Sequence, residues 1–177
     1  MNPLSPAQLL GYLALVLGVS AFLQRDDRRL RLLLVAECAA YGLHFALLGN
    51  PSAAASVSVS AARNLASLRF RTAWLAAASV AANVALAVAL GTHGRGWIPV
   101  VGSCLGGIAI FTLEGIPLRL LLLTSTALWL TNNVLSGSVG GTILESLIAA
   151  ASVSTVVRMA QAARAARGAA VGEGAPT

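Results

Sequence analysis

Trp129-Leu-Thr-Asn-Asn-Val-Leu-Ser-Gly-Ser-Val-Gly-Gly-Thr-Ile-Leu-Glu145 gathers an indole, two amides, a glycine-rich turn and a carboxyl inside an otherwise apolar chain. It reads as the end of one membrane helix, a tight turn and the start of the next. Polar groups in hydrocarbon are costly, so they either satisfy one another or serve function. Trp129 and Asn133 are four apart and share a helix face. The turn through Gly137 and Gly141 folds the next helix back at once, which brings Glu145 toward the same depth.

The composition sets the environment of that stretch. Of 177 residues, 57% are hydrophobic and only 10% charged, with a mean hydropathy of +0.80. Such a chain has too little polar surface for water and reads as an integral membrane protein without room for a second domain. All 12 basic residues are Arg, so a Schiff-base lysine, and with it a retinal-binding opsin, is excluded. The net charge of +6 does not signal nucleic acid, because the arginines sit at the ends of apolar runs. Cys38 and Cys104 fall inside apolar runs and predict neither a disulfide nor a metal site. The apolar run after Met1 has no positive charge ahead of it, so it reads as a retained first helix.

Seven stretches are apolar enough to approach the roughly 20 residues of a spanning helix. They lie at about 7–24, 30–49, 53–70, 73–92, 97–114, 117–136 and 139–159, joined by connections too short for anything but antiparallel neighbours. Residues 161–177 are expected as a cytoplasmic tail, disordered from 168. Ten arginines, Arg25, Arg28, Arg29, Arg31, Arg69, Arg71, Arg119, Arg158, Arg164 and Arg167, fall on one side. Arg95 alone falls on the other, and Arg63 lies within a helix. The positive-inside rule then places the N-terminus in the periplasm and the C-terminus in the cytoplasm.

The chain also repeats. Shifted by 88, residues 17–62 match 105–150 at 14 of 46 ungapped positions. The informative matches are Gly18 with Gly106, Arg31 with Arg119, Gly49 with Gly137 and Ser58 with Ser146. The expected fold is therefore all-α and polytopic: two parallel three-helix repeats, about 7–71 and 97–159, joined by a linker helix 73–92. Such a 3+1+3 arrangement is a transporter architecture, as in the sugar-transporting SWEET family.

Two polar stripes follow from the repeat. Glu37, Tyr41 and His44 share one face of the second helix, and the shift carries them onto Ser125, Trp129 and Asn132 of the sixth. Tyr41, His44, Trp129, Asn132, Asn133 and Glu145 are the candidate substrate pathway. Glu145, with no cation near it in sequence, is a candidate proton acceptor. Rise per residue puts Glu37 and Arg63 at a similar depth, roughly 10–12 Å from the cytoplasmic helix ends, as a candidate intramembrane ion pair. Gly102 and Gly106 form a GxxxG that allows close packing, within the bundle or between protomers of a homo-oligomer.

Several of these residues resemble a known family. Arg25-Asp-Asp-Arg-Arg29, His44-Phe-Ala-Leu-Leu-Gly49, Arg63, Ile98-Pro-Val-Val-Gly102, Trp129 to Asn133, Gly137-Ser-Val-Gly-Gly-Thr142 and Glu145 resemble, in order over residues 8–160, the YgjV family of bacterial inner-membrane proteins. The resemblance implies that location; kinship to SWEET-type and PnuC-type transporters is an analogy of fold. No HExxH, CxxC or phosphate-binding glycine motif is present, and Asp26 and Asp27 sit among arginines, so no enzyme is expected. The sequence thus points to a small-solute transporter or facilitator for a small polar or cationic solute in the lipid bilayer. No cofactor, metal or nucleic acid is expected. The alternative is a non-transporting membrane protein, a sensor or assembly partner, that keeps the fold.

Overall fold

A computed structural model describes residues 4–22, 27–66, 68–70, 72–113 and 115–173. Arg25, Asp26 and Arg71, and the last residues 174–177, lie outside the described residues. Seven α-helices account for nearly all of the rest: α1 (Pro6–Phe22), α2 (Asp27–Leu47), α3 (Pro51–Ala66), α4 (Ala73–Ala89), α5 (Trp97–Thr112), α6 (Gly115–Leu135) and α7 (Val139–Glu173). A 3-10 turn, Gly94–Gly96, precedes α5. Each helix coincides with one of the seven apolar runs. The tail differs from expectation: α7 continues to Glu173. Its alanine-rich sequence after Arg158 has high intrinsic helix propensity and inherits a helix already nucleated.

Consecutive helices pack as antiparallel neighbours, except that α3 also meets α5 and α1 also meets α7. Two three-helix layers, α1–α2–α3 and α5–α6–α7, thus face each other, with α1 beside α7 and α3 beside α5. Helix α4 packs outside, against α3 and α5. Exchanging α1, α2, α3 for α5, α6, α7 leaves these six-helix neighbour relations unchanged.

The turns repeat with the same shift. Two residues past the end of α2 stands Gly49, at φ 71°, and two past α6 stands Gly137, at φ 66°, a backbone region open to glycine without strain. Around Gly49 the N–H groups of Leu48, Gly49 and Asn50 bond the carbonyls of His44, Ala46 and Phe45. Around Gly137 the N–H groups of Ser136, Gly137 and Ser138 bond those of Asn132, Val134 and Asn133, each partner 88 residues on. The next residue caps the next helix: Asn50 Oδ1 accepts from Ala53 N at 3.1 Å, and Ser138 Oγ from Gly141 N at 3.1 Å. Both are N-caps that satisfy an otherwise orphaned first-turn donor.

The bundle is polar within and apolar without. Gln8, Glu37, His44, Asn83, Asn132, Asn133 and Glu145 are buried, while Leu9, Val16, Leu43, Leu47, Val88, Val134 and Leu147 are exposed. That inversion suits hydrocarbon rather than water as the surrounding solvent. Two helical stretches, Gly94–Thr112 and Val139–Ala165, are long and apolar enough to cross a membrane by themselves. Gly102 and Gly106 serve packing inside the chain. A Cβ on Gly102 would stand 3.2 Å from the Trp129 indole, and one on Gly106 3.2 Å from Ser125 Oγ. Ser125 Oγ in turn donates to the Gly102 carbonyl at 2.7 Å.

Candidate functional site

The stripes on α2 and α6 meet in the interior. Tyr41 and Phe45 on α2 lie 4.7 Å apart between ring centroids, their planes tilted by 47°, and Trp129 lies 6.4 and 6.0 Å from them. An aromatic core thus fills the middle of the seam between the two layers, flanked by Ala14, Ala53 and Val57. Aromatic rings with one polar end suit such a place, because their bodies pack while the hydroxyl finds a partner. Tyr41 O–H donates to Asn133 Oδ1 at 2.7 Å, and Asn133 Nδ2 donates to the Trp129 carbonyl at 2.9 Å. Both polar atoms of the Asn133 side chain therefore have a partner within the bundle.

Nearer the end that carries the two glycine turns, a second pair of links crosses the seam. His44 is wholly buried. Its Nδ1 lies 2.6 Å from the Ala7 carbonyl, so Nδ1 carries the hydrogen and Nε2, 2.7 Å from Ser138 Oγ, accepts from the serine. On the other side, Asn50 Nδ2 donates to Asn132 Oδ1 and to Ser136 Oγ, both at 2.9 Å. The shift by 88 turns His44 into Asn132 and Ser138 into Asn50. The same crossing bond is thus made twice, once in each direction.

Sequence reading missed three members of this network. Gln8, 1% exposed, donates from Nε2 to the Gly137 carbonyl at 2.7 Å and accepts from Val139 N at 3.1 Å. One α1 side chain thereby closes the α6–α7 turn. Asn50 and Ser138 are cap and cross-link at once. The signal was present in the repeat, which pairs Asn50 with Ser138 and Gln8 with Gly96. Two glycines make the approach possible. A Cβ on Gly141 would collide with Tyr41 Oη and Asn133 Oδ1, and one on Gly140 with the Gly11 backbone.

The acids are placed differently from expectation. Glu37 and Arg63 share a depth but not a side. Glu37 lies toward α1 and α7: its Cγ, together with Leu144, borders Gly18, and its Oε2 accepts from Cys38 Sγ at 3.3 Å. Arg63 reaches the other way, where Nη1 donates to the Ser103 carbonyl of α5 at 3.3 Å beside Gly107. The expected ion pair is not formed, because depth arithmetic fixes height along a helix and leaves the azimuth free. Glu145, 8% exposed, makes no hydrogen bond with the described residues. It lies one turn inward of Gly141, as Glu37 lies one turn inward of Tyr41. The two carboxyls therefore share a level and are close enough to interact electrostatically. Glu145 belongs with Glu37, a turn deeper than His44 and Asn132. No cluster of three or more His, Cys, Asp or Glu side chains suited to a metal occurs among the described residues.

Comparison with known proteins adds a location. Residues 5–163 match the model of a family described as Imp-YgjV, bacterial inner membrane protein. The chain is also similar to the inner membrane protein YgjV of Escherichia coli (strain K12), with 34% identity over 139 residues, 78% of this chain and 76% of the relative. No solved structure matches.

Proposed function

The chain belongs to the Imp-YgjV family of bacterial inner membrane proteins, and on that footing we propose that it is a small-solute transporter or facilitator. In this reading all seven helices span the membrane as two parallel three-helix repeats joined by α4, with the N-terminus periplasmic and the C-terminus cytoplasmic. The observation that carries it is the doubled crossing bond, His44 with Ser138 and Asn132 with Asn50. Two like halves meet along a buried polar seam held by few, equivalent hydrogen bonds. Parallel-repeat transporters work by rocking one half against the other around a site at that position.

Within the seam, Trp129 and Tyr41 supply aromatic faces, and Glu37 and Glu145 two carboxyls one turn below. Such a set suits a small polar or cationic solute. No chemical step is part of the reading. A sensor or assembly partner would instead keep the seam closed throughout its work.

The test starts with a thermal-shift screen of the purified protein against metabolites, since a ligand of the native state raises its stability by mass action. Flux of the solute so found is then measured in proteoliposomes. Asn50→Cys and Ser136→Cys are introduced together in a chain without Cys38 and Cys104, where the native side chains lie 2.9 Å apart. Oxidation should stop flux and reduction restore it. Equal flux in both states would refute a seam that opens.

A further inference from the structure

Beside the α2–α3 turn, at the end of the bundle that carries both glycine turns, lies a cavity of about 350 Å³. Its walls are that turn, the end of α6 and the segment leading into α5, including Asn50, Ser52, Arg95, Gly96, Asn132 and Ser136. Asn132 is 3% exposed, yet its Nδ2 is buried without a hydrogen-bond partner. The orientation of that amide is fixed by its neighbours. Asn50 Oδ1 accepts from Ala53 N at 3.1 Å and from Ser52 Oγ at 3.3 Å, so the other Asn50 atom is the donor. That donor bonds Asn132 Oδ1, which leaves Asn132 Nδ2 as a donor facing no acceptor. A buried donor in that state is costly, and native structures rarely keep one without a reason.

The other half of the molecule shows what is missing. There, His44 Nδ1 donates to the Ala7 carbonyl at 2.6 Å, and the Gln8 side chain fills the corner, bonding Gly137 and Val139. Shifted by 88, Ala7 becomes Arg95, Gln8 becomes Gly96 and Val139 becomes Pro51. The second corner has thus lost the plug and gained an exposed guanidinium. Val139 N needed an acceptor; Pro51 has no N–H and needs none. No carboxylate lines the cavity. The N-terminus of α3 adds the positive end of its dipole. A Cβ on Gly96 would stand 2.8 Å from Thr92 Cγ2 and 3.0 Å from Ser52 Oγ, so small side chains edge the corner that Gln8 fills in the other half, and the cavity beside it is cationic.

We propose that this cavity binds a small free carboxylate, one oxygen accepting from Asn132 Nδ2 and the other turned toward the Arg95 guanidinium. A carboxylate is acceptor-only and planar, which suits a lone amide donor beside an arginine. The assignment goes beyond transport and holds for a sensor as well as for a carrier.

The test uses the full-length protein purified in a neutral detergent. Melting temperature and calorimetric binding are measured with sodium acetate, lactate and succinate against sodium chloride at equal ionic strength. At least one of the three carboxylates should stabilise the protein over chloride. Arg95→Gln, in an exposed turn, should weaken that binding about tenfold or more, the equivalent of one charge-assisted hydrogen bond, and Arg95→Lys should recover part of it. A response no greater than to chloride, or one unchanged in Arg95→Gln, would overturn the site. Binding of inorganic phosphate in place of the carboxylates would overturn the ligand class. A response confined to nanodiscs containing phosphatidylglycerol would do the same, by assigning the cavity to a lipid headgroup.

Discussion

Gly141→Ala should be among the most damaging single-methyl changes in this protein. The added Cβ would collide with Tyr41 Oη and Asn133 Oδ1 and stand 2.6 Å from Ser138 Oγ, all on a helix that also abuts α1 through Gly140. Relief requires α7 to back away or the three polar atoms to part. Parting them breaks the Tyr41–Asn133 bond and the Ser138 cap, about 1 kcal/mol each. Residual overpacking adds about 1–3 kcal/mol, for a total of about 3–5 kcal/mol. Gly42→Ala is the control. A Cβ there meets Ser58 Oγ at 3.7 Å, an ordinary contact, so that change should be close to neutral. Unfolding in mixed micelles titrated with a denaturing detergent compares the two. Tyr41→Phe removes one of the colliding atoms, so the double variant Gly141→Ala/Tyr41→Phe should be at least about 1 kcal/mol more stable than the sum of the singles predicts. Equal stability of Gly141→Ala and Gly42→Ala, or strict additivity in the double variant, would refute the close approach.

Other expectations follow from the same geometry. Gln8→Ala should cost about 1–3 kcal/mol, because the Gly137 carbonyl and Val139 N lose their partner in a buried turn, and unfolding in the same micelles measures it. A double-mutant cycle of Glu37→Gln and Arg63→Met should be additive within about 0.5 kcal/mol, since the two side chains do not pair; a coupling of several kcal/mol would restore the ion pair. Reporter fusions after residues 50 and 158 should report opposite sides of the membrane, as the arginine distribution requires, and the same side for both would sink the proposed orientation.

The parts of this fold that were legible in sequence are those set by period and length. Apolar runs located the seven helices, and the shift by 88 paired Tyr41 with Trp129, whose ring centroids lie 6.4 Å apart across the seam. What was not legible depends on azimuth and on distant partners. Glu37 and Arg63 were matched by depth, but one points to α1 and α7 and the other to α5. Glu145 was placed level with Asn132 by counting residues from a turn, whereas Gly141 against Tyr41 sets it a turn deeper. Gln8 carried no signal of its own in the sequence, because its partners lie 129 and 131 residues away and only the fold supplies them. Arg95 looked merely like the lone arginine of its side until the fold set it and Asn132 on one cavity.

The crossing bonds also bear on how the chain is made. His44 and Asn50 leave the ribosome long before Ser138 and Asn132, at separations of 94 and 82 residues. Translation at about 5–20 residues per second makes that a wait of roughly 4–19 s. During it the first three helices can form with their own cap in place, since Asn50 already serves Ala53, and with His44 already tied to Ala7. The outward side of each polar pair still faces lipid or a chaperone instead of its mate. The newborn first half is therefore a membrane protein with a sticky polar edge, and its survival depends on how soon the second half arrives to cover it.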